Sequence, residues 1–81
     1  MYADLFRDEI RNRMNQAKSQ GFDYVEIVSG DVHRTVGGYP GQNHRMPTCC
    51  EVMYSLMKGK DLVLESPPKG KGATLLIRYF V

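Results

Sequence analysis

The chain lacks any apolar run long enough to cross a membrane. The longest, Ala73 to Ile77 continuing past Arg78, falls well short of the roughly 18 residues that a span requires. Asp4, Arg7, Asp8 and Glu9 interrupt the N-terminal segment, which excludes the apolar core of a secretory signal and leaves a cytoplasmic location as the expectation. Cysteine is scarce, and the two present, Cys49 and Cys50, are neighbours. A disulfide between adjacent residues closes a strained ring, so free thiols in a reducing compartment are expected. Internal repeats, low-complexity tracts and linkers are also missing. At 81 residues the chain has room for one domain, residues 1–81, with a single core.

Acid is outnumbered in one stretch and missing from another. Residues 58–81 hold five Lys/Arg against two acids, a balance of +3, whereas residues 1–57 hold six against seven, a balance of −1. The basic end has the pattern of a hairpin: Asp61 to Glu65, a tip of Ser66-Pro-Pro-Lys-Gly-Lys-Gly72, then Ala73 to Val81, rich in β-branched and aromatic residues. Simple hairpin turns need two to five residues and no charge. The second stretch, Val32 to Cys50, contains His33, Arg34, His44 and Arg45 and no carboxylate. Both segments are candidates for facing an anion.

Periodicity supplies the remaining elements. Residues 3–19 place Phe6, Ile10, Met14 and Ala17 on one stripe with Arg7, Arg11 and Lys18 opposite, and Gly21 stands where a helix stops. Tyr24 to Val28 alternates like a short strand. Ser29 is the expected N-cap of a two-turn helix ending at Gly37-Gly38, with Asp31 in its first turn. Glycine and proline between Gly37 and Pro47 forbid regular structure there. A third helix is expected from Thr48 to Lys58-Gly59, opened by a capping box of Thr48 with Glu51 and a staple of Pro47 on Val52.

The order of helix, strand, helix, helix, strand, basic tip and strand resembles, over the whole chain, the winged helix superfamily of DNA-binding domains. The resemblance implies an α+β fold whose third helix, 48–58, enters the major groove of double-stranded DNA while the hairpin tip, the wing, contacts the backbone. It implies a small transcription regulator or an accessory domain of a DNA-processing system. The connection from Val36 to Thr48 exceeds the three to four residues of an ordinary helix-turn-helix turn.

Individual residues fit those roles. Lys69 and Lys71, alternating with Gly70 and Gly72, let ammonium and backbone groups approach phosphates, a sequence-independent contact. Thr48, Tyr54 and Ser55 can bond base edges or phosphates, Glu51 can accept from a cytosine amino group, and Lys58 reaches the backbone. Arg34, His44 and Arg45 flank the start of the third helix, where amides attract anions. One module buries only about 600–1,000 Å2 on DNA, so specificity calls for a homodimer or a second protein. The rival reading keeps the fold and binds a protein partner through Cys50, Tyr54 and Met57, with the lysines serving solubility.

Other chemistries are poorly supported. His33, His44, Cys49 and Cys50 count as four zinc donors, but adjacent helical cysteines diverge by roughly 100° and do not converge on one ion. Cys49 is expected in the core, Cys50 at its border and the histidines on the surface or in the loop. Gly70-Lys-Gly-Ala-Thr74 lacks the earlier glycine of a phosphate loop and lies between strands. A Cys/His nucleophile has no third orienting group. Neither a cofactor, a metal nor an enzymatic activity is expected.

Overall fold

The computed structural model describes residues 1–37 and 44–81. The elements follow the order α1 (Tyr2–Ser19), β1 (Tyr24–Val28), α2 (Ser29–Val36), α3 (Met46–Ser55), β2 (Leu62–Glu65) and β3 (Leu76–Phe80). The strands form one antiparallel sheet in the order β1-β3-β2. The architecture is α+β. The expected Gly38–Asn43 part of the irregular loop lies outside the described residues.

The stripe on α1 behaves as its spacing predicts. Phe6, Ile10 and Ala17 are buried, and α1 packs against both other helices and β1. Gly21, at φ +85, closes the helix: its N–H donates to Lys18 O and that of Phe22 to Ala17 O, each at 3.0 Å. This double bond pattern satisfies carbonyls that a helix end otherwise strands. In the sheet, Val25 faces Tyr79 and Ile27 faces Ile77 on the helix side, whereas Glu26 and Arg78 meet on the open side. Arg78 grips Glu26 Oε2 through Nε at 3.0 Å and Nη2 at 2.6 Å, and its guanidinium lies 4.3 Å from the Tyr24 ring centroid. Such cross-strand pairs fix register as well as stability. Tyr79 crosses the core and donates its hydroxyl to Met53 O at 2.7 Å, tying β3 to α3.

One core joins all three helices to β1 and β3, with Phe6, Ile10, Ile27, Met53, Leu75, Ile77 and Tyr79 fully buried. Burying each large side chain is worth roughly 1.5–3 kcal/mol. Both Cys49 and Cys50 belong to this core, which corrects the expectation that Cys50 sits at its border. His33 is likewise fully buried, not a surface residue. Its ring stacks 5.1 Å from Phe6, and its Nε2 accepts the Arg45 N–H at 2.7 Å, so it serves as the anchor for the start of α3.

Helix boundaries depart from the local signals. α2 begins at Ser29 itself, with Val28 as the N-cap residue and no side-chain cap. The Ser29 hydroxyl donates instead to Gly72 O, because the tip segment lies against this helix end. α3 begins at Met46, with Pro47 in its first turn, so Thr48 is inside the helix and the expected capping box does not form. Proline suits that position, having no N–H to leave unpaired. Met46 enters the core instead of the loop. The helix stops at Ser55, short of Lys58-Gly59, and a separate turn follows.

Candidate nucleic-acid interface

The expected wing is a pair of strands joined by a segment that folds back onto the body. β2 is paired to β3 with a bulge at Val63/Glu65, and its four residues are exposed. Within the tip, Gly70 N–H donates to Pro67 O at 2.8 Å, and Gly70 itself takes φ +83. Residues 72–75 then dock on the start of α2: Ser29 N–H donates to Leu75 O at 2.9 Å and Gly30 N–H to Ala73 O at 3.0 Å. These carbonyls occupy two of the amides that a helix N-terminus leaves open.

Three contacts hold the tip to α3. The Tyr54 hydroxyl donates to Gly70 O. Lys71 Nζ lies 2.7 Å from Glu51 Oε2. Cys50 and Gly72 exchange bonds, the thiol donating to Gly72 O at 3.2 Å and Gly72 N–H donating to the sulfur at 3.3 Å. The tip and the polar stripe of α3 therefore form one continuous surface.

That geometry revises several assignments. Lys71 does have an acid beside it, and the hydrogen bond and charge of Glu51 raise its pKa. Glu51 is committed to this pair instead of to a cap. Tyr54 is half-buried, with its hydroxyl engaged by the tip, and Ser55 Oγ donates back to Val52 O at 2.7 Å. Each hydroxyl donates its proton within the protein and is left as an acceptor only. Gly72 is close-packed against Pro67, where an added Cβ would lie 3.0 Å from Pro67 Cγ. Its small size admits the protein's own chain, not a phosphate. Arg34 pairs with Asp31 at 2.7 Å.

The remaining candidates lie at the start of α3 and in the tip. Arg45, at the N-cap of α3, lies 5.1 Å over the Tyr2 ring, a cation–π contact. His44 precedes it, exposed, with its ring 5.6 Å from that of His33. Thr48 is half-buried, and Lys69 is exposed with no ion pair among the described residues. Lys58 stands apart, beyond the end of α3.

Cys49 is chemically quiet. Burial, reinforced by neighbouring Cys50, pushes its thiol from the ordinary 9.0 to about 12. Such a thiol supplies almost no thiolate near neutral pH. Among the described residues no three His, Cys, Asp or Glu side chains converge as a metal site. Among them, too, no helix is long and apolar enough to cross a membrane.

The charge map contains a second concentration of cations. Of the eleven Lys/Arg, five are in ion pairs (Arg7, Arg13, Arg34, Lys71 and Arg78) and Arg45 rests on Tyr2. Five remain, and four of those, Arg11, Lys18, Lys58 and Lys60, line one groove. Sequence reasoning placed Arg11 and Lys18 on the polar face of α1 without giving them a role. Their seven-residue spacing, two helical turns, was the available signal. No protein-family model matches the chain, and neither a curated protein nor a solved structure is significantly similar to it.

Proposed function

We propose that this chain is a winged helix module that binds double-stranded DNA through α3 and the tip after β2. The order of helices and the β1-β3-β2 sheet support the arrangement. The observation that carries the functional reading is the triple attachment of residues 70–72 to Cys50, Glu51 and Tyr54. A wing held to its helix presents both to one duplex without an ordering penalty on binding.

In this reading Arg45 and Lys69 meet phosphates at opposite ends of the surface, with His44 and Thr48 beside Arg45. Lys71 joins them only by exchanging Glu51 for a phosphate. Affinity then comes from the backbone more than from the bases, because the exposed stripe of α3 carries Thr48, Glu51 and Ser55 and no cation. That profile suits an accessory domain of a DNA-processing system better than a sequence-specific transcription regulator acting alone. No catalytic step or cofactor enters it.

Titration of a labelled duplex at several salt concentrations tests the reading. Three phosphate contacts predict a log-log slope of about −3, at roughly −0.9 for each. Absence of binding at low salt, or binding indifferent to Arg45→Glu and Lys69→Glu, overturns it.

A further inference from the structure

The groove between α1 and the turn after α3 has a built floor and a basic rim. It encloses about 560 Å3. Met14, Leu56 and Phe80 supply apolar surface, and Arg11, Lys18, Lys58 and Lys60 stand around it. None of these four cations has an ion pair among the described residues.

The one side-chain carboxylate lining the groove, Asp61, works for the scaffold. Its Oδ2 accepts the Lys58 N–H at 3.0 Å while its own N–H donates to Lys58 O at 2.9 Å, closing the turn on both sides. Its Oδ1 accepts the Phe80 N–H at 2.8 Å, fastening the turn to β3. Gly59 supplies the φ of +51 that this turn needs. Lys58 and Lys60 are thus displayed by a braced turn, opposite two cations two turns apart on one helical face, for a balance of four positive side chains against one negative.

We infer that this groove docks an acidic segment of a partner protein, one with an apolar side chain flanked by carboxylates. The apolar residue covers Met14, Leu56 and Phe80, and the carboxylates meet the four cations, a complementarity of the kind that sets partner choice and encounter rate. The phosphates of a duplex match the four cations but leave Met14, Leu56 and Phe80 uncovered. A single nucleic-acid strand relies on aromatic platforms for its bases, and the only ring here, Phe80, already packs against Tyr24 at 5.8 Å. The site is separate from the wing, so the inference stands whether or not the module binds DNA.

The probe is a labelled synthetic peptide of glutamates surrounding one leucine and one phenylalanine, titrated into the full 81-residue chain while backbone amide resonances are followed. Saturable shifts at residues 11–18, 56–61 and 80, with a Kd of about 1 mM or tighter, are expected. Arg11→Glu and Lys60→Glu, at exposed positions with no internal partner, should each weaken binding about tenfold. A peptide with serines in place of the two apolar residues should bind more weakly. The inference fails if no saturable shift occurs, if the shifts map to the wing, if the serine peptide binds equally well, or if duplex DNA displaces the peptide by moving the groove resonances itself.

Discussion

Lys71 Nζ and Glu51 Oε2 lie 2.7 Å apart, joining the tip after β2 to the polar stripe of α3 across twenty residues of chain. The pair sits on the surface proposed to meet DNA. It both positions the tip and withholds one of its two lysines from other anions. A phosphate that captures Lys71 must leave Glu51 unpaired and facing an anion.

Glu51→Gln is therefore expected to tighten binding to duplex DNA. The amide can still accept a hydrogen bond from Lys71 but no longer neutralises it. The log-log salt slope should steepen by about 0.9, the signature of one further phosphate contact. An unchanged or weakened affinity places the duplex away from this pair.

Tyr54→Phe removes the hydroxyl that holds Gly70 O while leaving the ring in place. Stability should fall by about 1 kcal/mol in urea unfolding, the usual net worth of one such bond. The Gly72 amide, bonded to the Cys50 sulfur, should exchange its hydrogen faster as the tip loosens. Unaltered exchange would show that Cys50 and Glu51 suffice to hold the tip.

Gly30→Ala tests the docking of residues 72–75 on α2. A Cβ there would lie 2.9 Å from Ala73 O, a backbone atom with little freedom to retreat. Forcing extra volume into such a site costs about 1–3 kcal/mol. Gly21→Ala meets nothing within 4 Å and is penalised only by its φ of +85, at about 1–2 kcal/mol. Chemical denaturation should show that Gly30→Ala also exposes the Gly72–Leu75 amides to exchange, whereas Gly21→Ala does not.

Alkaline pH should destabilise the fold through Cys49. The folded thiol keeps its proton up to about 12, whereas the unfolded one releases it near 9.0. Above pH 9 the unfolded chain therefore binds fewer protons than the folded one, and stability declines as pH climbs from 9 toward 12. Tyr79, also raised mainly by burial, acts in the same direction from about pH 10 upward, the ordinary tyrosine value. Cys49→Ala lowers stability everywhere by leaving a small void, but should flatten the decline between pH 9 and 11. A slope equal to that of the parent chain would assign it to other groups.

The residues that carried the sequence reading share one property: their physics is local. Phe6, Ile10 and Ala17 declare a helical face, and Gly21 declares its end, because both depend on neighbours within one or two turns. Val25 and Ile27 declare the inner side of β1 for the same reason. The errors arose where a residue had a local use and a distant one. Ser29 can cap a helix, but Gly72 O, forty-three residues away, receives its hydroxyl. Glu51 can complete a capping box, but Lys71 claims its carboxylate. The spacing of residues 11 and 18 puts those two on one helical face, but nothing in it announces that Lys58 and Lys60 complete the border of one groove.

By itself the sequence determined the order of elements, the α+β class, the apolar stripe of α1 and the basic character of residues 58–81. Periodicity and composition act along the chain, and a single strand of text contains them. Tertiary structure decided which charges are neutralised, which hydroxyls are occupied and which cations remain available. Packing α3 between the tip after β2 and α1 brings Glu51 to Lys71 on one side and leaves Lys58 and Lys60 with Arg11 and Lys18 on the other. Charge is a property of residues, but its availability depends on distances of a few ångströms between segments that the chain holds far apart.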